Sequence, residues 1–421
     1  MDDLSTASKR FDRVVQRLRD ELGVVRERET WLASAPGRTE LAGNHTDHNR
    51  GRVLAASIDL ESVAAASARE DSLVRIASEG YPLIEVDLRE TDARPEERET
   101  TAALLRGVAA GFLRGGYRVG GFDAAVTSTV GAGSGLSSSA SIEVLIGVIF
   151  DEVYNDGRIG PTAIAQIGQY AENSFFGKPS GLMDQLACAT GGVVAIDFAD
   201  PSSPVVDRID ASFDDAGLAL LVVDTGASHA DLTGEYAAIP ADMRAIAAEL
   251  GGEVLRDVDE QAFYRAFGDL RRQAGDRAVC RAIHFYDENA RVARMATALR
   301  TGAMDEYLRL MADSGRSSGM YLQNCAPVGS PKEQGVVCAL ALTEHYLDGI
   351  GLGNGAGAAC RVHGGGFAGT IQVVLPTEHV AGYREFICRH LGSDAVTRLR
   401  IRNTGADCVR SDAVARITEE D

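Results

Sequence analysis

Apolar positions recur along this chain with two different periods, and their alternation sets out an order of elements. Residues 5–27 carry Phe11, Val14, Val15, Leu18 and Leu22 on one face of an amphipathic helix, and Trp31-Leu32-Ala33 opens a strand behind it. From Val53 to Val86 short apolar runs alternate with polar ones, which predicts strands, and Thr100 to Phe112 returns to helical spacing. Phe122 to Val130 reads as a further strand that feeds directly into Gly131-Ala132-Gly133-Ser134-Gly135-Leu136-Ser137-Ser138-Ser139-Ala140. Beyond that run, Ile142, Leu145, Ile146, Ile149 and Val153 are spaced as in a helix, so the serines fall at its N-terminus. Strand, Gly/Ser loop and helix in this order suit a phosphate site, because the unpaired N–H groups and dipole at a helix start favour an anion. Leu136 and Ser137 follow Gly135 where a P-loop needs Gly-Lys-Ser/Thr, so a different nucleotide fold is expected. A flexible Gly/Ser turn capped by serine is the structural alternative.

The second half opens with a continuous apolar run, Leu218 to Val223, of buried-strand type, followed by helical stretches over 240–315 and a strand from Ile371 to Leu375. Between Asp197 and Asp215 the chain is rich in Asp, Ser and Pro, with Pro201-Ser202-Ser203-Pro204 at the centre. That composition predicts a boundary near 205, dividing an N-terminal domain (1–205) from a C-terminal domain (206–421). A chain of 421 residues exceeds what one core usually supports, in keeping with two domains. The glycine-dense stretch Gly349 to Gly357 has no apolar strand before it and reads as a turn, not a dinucleotide loop.

Composition narrows the class. A 45% hydrophobic and 24% charged chain has ample material for a core. Lys and Arg number 42 against 61 Asp and Glu, and the net charge of -19 repels nucleic acids and anionic membranes over most of the surface. Seven widely spaced cysteines without a CxxC pair predict reduced thiols. The start of the chain stays polar through Arg28, with no apolar signal-peptide core, and no 18-residue apolar run follows. A cytoplasmic protein is expected.

Three segments carry chemistry. Ala35 to Asn49 packs donors and acceptors together, and Asn44, His45 and Asp47 offer both hydrogen-bonding senses, as a polyhydroxylated ligand such as a sugar needs. His45, Asp47 and His48 as a metal centre would need further His or Cys at characteristic spacings, and the other histidines are scattered. Arg38 is a charged fork for a phosphoryl oxygen or a carboxylate, or else half of a surface ion pair. Glu172 to Gln185 places Glu172 and Asp184 on either side of a Pro/Gly turn, so that one carboxylate could hold Mg2+ while the other addresses an attacking hydroxyl. Capping the following helix is the alternative role for Asp184. Val362 to Thr370 contains Gly364-Gly365-Gly366, which permits close approach of a ligand or of another segment, or forms a glycine-rich bulge.

Together and in this order, the three motifs resemble those of the galactokinases, within the GHMP superfamily of small-molecule kinases, from about Pro36 to Leu375. Val223 to His229 through Glu235-Tyr236, and His284 through Val292, are similar as well. The resemblance implies an α+β, two-domain fold with the site in the inter-domain cleft. It implies ATP-dependent phosphorylation of the C1 hydroxyl of galactose, with ATP and Mg2+ required. Arg38 and Asp184 then correspond to the catalytic pair, and Ser139 and Glu172 to the magnesium ligands. Asn44, His45, Asp47, Gly181 and Tyr236 match sugar contacts, and Gly364 to Gly366 the floor. Gly131, Gly133, Ser134, Gly135, Leu136, Ser137, Ser138 and Ser139 match the ATP phosphate loop. Two departures stand out. The family's Gly-Glu-His-Thr-Asp-Tyr is here Gly43-Asn44-His45-Thr46-Asp47-His48, and Gly315 stands where a histidine is common. Asn44 keeps open a related sugar, N-acetylgalactosamine or L-arabinose, and a silent galactokinase-like sensor is the non-enzymatic alternative. Nothing in the sequence sets an oligomeric state.

Overall fold

The computed structural model describes residues 2–131, 135–178, 180–227 and 232–411, the first six of these by backbone alone. Its strands are β1 (Trp31–Ala42), β2 (Arg52–Ala68), β3 (Leu73–Ser78), β4 (Ile84–Asp87), β5 (Phe122–Ser128), β6 (Val193–Asp197), β7 (Val205–Ile209), β8 (Leu218–Asp224), β9 (Gly353–Asn354), β10 (Gly357–Val362), β11 (Thr370–Pro376), β12 (Val396–Leu399) and β13 (Asp407–Arg410). Its helices are α1 (Asp2–Leu22), α2 (Thr101–Arg114), α3 (Ser138–Asn155), α4 (Pro161–Ala171), α5 (Met183–Thr190), α6 (Thr233–Glu249), α7 (Glu260–Arg265), α8 (Phe267–Gln273), α9 (Asp276–Arg300), α10 (Met304–Ser317), α11 (Gly335–Gly349) and α12 (Val380–Leu391). The helix expected over 5–27 stops at Leu22, because Gly23 takes a positive φ of 71° that ends the turn.

The first sheet runs β13-β1-β2-β5-β3-β4, and β6 and β7 extend it from β2. The 17-residue β2 serves both parts, pairing β6 through Arg52–Ala56 and β5 through Ser62–Ala68. Successive side chains of a strand point to opposite faces, and β2 divides them accordingly. Val63 and Ala65 meet Val14, Leu18 and Leu22 of α1, while Ala64 and Ala66 join the core with Leu145, Ile149 and Leu186 of α3 and α5.

The second sheet runs β12-β8-β11-β10-β9. Its β8 is the apolar run expected to be buried, and it is covered on both faces. Leu220 and Val222 pack with Val292 and Met311 of α9 and α10, whereas Leu221 and Val223 pack with Val336 of α11 and Ile387 of α12. Pro201 to Pro204 turns a hairpin, since β6 and β7 pair antiparallel across it. The boundary expected near 205 therefore falls at the start of a strand of the first sheet, and β13 returns to that sheet beside β1.

Local irregularities place the chemistry. The register of β1 slips between Pro36 and Arg38 and again between Glu40 and Ala42, and such bulges re-aim side chains. Gly37 lies in the first slip, where a Cβ would stand 2.9 Å from the Leu136 carbonyl oxygen. α4 runs into a π-type turn at Glu172–Phe176, a distortion that presents Glu172 ahead of α5. Among the described residues no helix is long and apolar enough to cross a membrane.

Candidate active site

Arg38 reaches from β1 to the first turn of α5. Its Nε donates to Asp184 Oδ1 and its Nη2 to Asp184 Oδ2, both at 2.6 Å. Nη1 donates to the Gly135 carbonyl at 2.5 Å, and the Arg38 backbone N–H donates to the Leu136 carbonyl at 3.1 Å. The Ser137 hydroxyl donates to Asp184 Oδ2. Ser137 itself holds φ +59°, a conformation a non-glycine residue adopts at a cost and one common at ligand-binding sites. Burial pushes the Asp184 carboxyl up, but Arg38, Lys178 and Ser137 outweigh it and hold it below the ordinary carboxylate range. Its oxygens are engaged by Arg38 and Ser137, and no side-chain cap is formed at the start of α5.

Ser139, in the first turn of α3, donates to Glu172 Oε1 at 2.9 Å, and Lys178 Nζ lies 3.0 Å from the same oxygen. Glu172 Oε2 accepts from Gln185 Nε2 at 2.9 Å. Gln185 follows Asp184 directly, so α5 ties the two carboxylate clusters together. Glu143 lies deeper, accepting from Gln185 Nε2 at 2.9 Å, and burial beside Glu172 drives its carboxyl well above the usual range.

The third cluster joins the β1–β2 loop to the glycines of 364–366. A Cβ on Gly181 would fall 1.7 Å from Asp47 Oδ2, so this glycine is where the Asp47 carboxylate finds room. His45 shares a hydrogen bond with the Gly365 carbonyl at 2.9 Å, and Tyr236 Oη donates to the Gly366 carbonyl at 3.0 Å. The Tyr236 ring meets Phe367 edge-on at 5.4 Å. Asn44 is placed differently. It is 0% exposed, its amide nitrogen donates to Glu40 Oε1 at 3.0 Å and to the Gly364 carbonyl, and its oxygen accepts from Asn324 Nδ2 at 2.6 Å. The Asn44 amide thus contacts the wall of the site through Glu40, Gly364 and Asn324. Glu40 is itself buried and accepts from the buried guanidinium of Arg361 at 2.5 Å.

Of the phosphate-loop residues, Gly135, Ser137, Ser138 and Ser139 surround the Arg38–Asp184 pair or start α3, and Gly131 is exposed at the entry. The Leu136 side chain is 2% exposed in the core, which leaves its backbone to face the loop. Gly133 and Ser134, with Ala132, lie outside the described residues, as do Pro179, Ser228 and His229 of the quoted motifs. Lys178, Gln185, Glu143, Glu40, Asn324 and His363 are polar participants that motif reading did not single out. Lys178 and Gln185 lie inside the Glu172–Gln185 segment, and Glu143 follows Ser139 by one helical turn, a spacing that could have flagged it. His363 bridges Thr39 Oγ1 at 3.0 Å and Thr370 Oγ1 at 2.9 Å beneath Gly135. Burial, reinforced by Arg38 and Arg361, lowers His363 to about 3, and burial also lowers His284.

The chain is similar to known proteins in both sequence and fold. Residues 103–192 match the GHMP kinases N terminal domain, and residues 23–68 match the galactokinase galactose-binding signature. A galactokinase of Streptomyces coelicolor is 33% identical over 348 residues, covering 81% of this chain and 84% of that protein. In fold, the chain is similar to Lactococcus lactis galactokinase complexed with galactose, with a TM-score of 0.78 at 24% identity over 93% of this chain and 97% of that one. Methanococcus jannaschii mevalonate kinase shares the fold more distantly, with a TM-score of 0.61 at 14% identity over 88% of this chain and 98% of that one.

Proposed function

The chain belongs to the galactokinase family, and from that premise we propose that it transfers the γ-phosphoryl group of ATP to the C1 hydroxyl of galactose, giving galactose 1-phosphate and ADP. The galactose-binding signature over 23–68 supports galactose as the sugar. The observation that carries the mechanism is the bidentate Arg38–Asp184 pair, bonded to Ser137 and Gly135 of the glycine/serine loop.

Asp184, kept ionised by Arg38, orients the C1 hydroxyl and accepts its proton as the new O–P bond forms and the bond to the bridging oxygen of ADP breaks. Arg38 keeps Asp184 charged and adds positive charge beside the transferring group. The backbone and hydroxyls of Gly131 to Ser139, at the start of α3, cradle the phosphates. Asp47, His45 and Tyr236 take the sugar hydroxyls, with Gly181 and Gly364 to Gly366 leaving space for the ring.

Ser139 and Glu172 would hold Mg2+. They are hard oxygen donors, the set this ion takes when phosphates complete its shell, and the Lys178 ammonium at Glu172 marks a place where positive charge is already accommodated. When bound, magnesium neutralises charge on the β- and γ-phosphates. The spaced cysteines, unpaired among the described residues, support a cytoplasmic setting.

ADP release measured across a panel of sugars, with the product identified by phosphorus NMR, tests the proposal. Galactose is expected to react fastest and to yield an anomeric phosphate. Rapid turnover of another sugar with a negligible rate on galactose would contradict it.

A further inference from the structure

Behind Glu172 lies a carboxylate that the proposed reaction does not use. Glu143 stands one turn after Ser139 on α3 and is 1% exposed. Gln185, 0% exposed, sets its Nε2 2.9 Å from Glu143 Oε2 and 2.9 Å from Glu172 Oε2. The other oxygen of Glu172 is fixed by Ser139 at 2.9 Å and Lys178 at 3.0 Å. α4 closes the far side, where a Cβ on Gly168 would stand 3.2 Å from both Gln185 Cγ and Glu143 Oε2. Glu143 Oε1 and Gln185 Oε1 are buried without a hydrogen-bond partner, a cost that apolar side chains at these positions would avoid.

We propose that Glu143 and Gln185 are a positioning pair, in which Glu143 aims the Gln185 amide and that amide fixes the orientation of the Glu172 carboxylate toward the divalent cation it shares with Ser139. The inference rests on the reading that Ser139 and Glu172 hold the metal. The two N–H bonds of one amide are spent on two carboxylates, so removing Glu143 releases Gln185 to rotate. Glu172 is then left to swing toward Lys178. Loss of a partner behind a metal ligand typically weakens metal affinity by roughly 10- to 100-fold.

The test is Mn2+ binding to the full-length protein with a non-hydrolysable ATP analogue, followed by electron paramagnetic resonance, alongside the KM for galactose. Glu143→Ala and Gln185→Met should weaken Mn2+ binding by about 10- to 100-fold without moving the galactose KM. Glu143→Gln, which keeps an oxygen acceptor for the Gln185 amide, should recover most of the loss. Gln185→Met, close to isosteric, carries the test should Glu143→Ala fail to fold, and circular dichroism distinguishes the two cases. Wild-type Mn2+ affinity in Gln185→Met and Glu143→Ala, beside weakened binding in Glu172→Gln, overturns the positioning role alone. Equal losses in Glu143→Gln and Glu143→Ala also overturn it. Unchanged binding in Glu172→Gln overturns the metal reading, and the proposal with it.

Discussion

Arg38 and Asp184, 146 positions apart in the chain, meet through two hydrogen bonds of 2.6 Å each. A planar fork on a carboxylate fixes both charge and direction, since Asp184 cannot rotate without giving up both bonds. The Arg38 side chain is 8% exposed and that of Asp184 19%, so the carboxylate is the more accessible member of the pair.

Asp184→Asn keeps the shape and removes the charge. Turnover should fall by about 100- to 10,000-fold, the usual worth of a positioned base, with ATP affinity largely retained. Steady-state rates and calorimetric nucleotide binding check this. Arg38→Lys, which cannot bond both oxygens in one plane, should also lose turnover.

Gly181→Ala tests the sugar end. Its Cβ would lie 1.7 Å from Asp47 Oδ2, so the carboxylate must move. A rise in the galactose KM of at least about tenfold, equivalent to ~1.4 kcal/mol, is expected, with the ATP KM and the melting temperature little changed.

Asn44→Asp would set a second carboxylate against buried Glu40, whose oxygen now lies 3.0 Å from the Asn44 amide nitrogen. Breaking a buried polar arrangement this way should cost about 3–5 kcal/mol, read from denaturant unfolding. Adding Glu40→Gln should return part of that loss, and the departure from additivity measures the coupling of the two positions.

Stability should fall on acidification below the ordinary histidine range. His363, lowered from 6.5 to about 3, and His284, also lowered, stay neutral when folded and protonate when unfolded. The unfolded state then binds more protons between about 6.5 and 3, so the stabilisation present above pH 6.5 is lost as pH falls through that window. Unfolding curves at pH 7.5, 6.5, 5.5 and 4.5 should show this decline, and His363→Gln should make it shallower.

The elements around the phosphate loop were legible because β5 and α3 keep clean periods on either side of it, and β8 is apolar without interruption. The hairpin at 201–204 was not, since Pro and Ser serve a tight turn as readily as a linker. Asn44 reads as a ligand contact from its neighbours in sequence. Its actual environment depends on Glu40 pairing with Arg361, 321 residues away, and no local pattern carries that information. Glu143 is legible only in part: its place one turn after Ser139 can be read from the sequence, but it lies inside the apolar stripe of α3 and its partner Gln185 comes from α5.

A crystal structure with galactose and a non-hydrolysable ATP analogue bound tests the arrangement most directly. The C1 hydroxyl should lie within hydrogen-bond reach of Asp184, about 3 Å, with the terminal phosphate beside Ser137 to Ser139 and Arg38. A sugar seated with C1 turned away from Asp184, or a nucleotide phosphate remote from that loop, would contradict it.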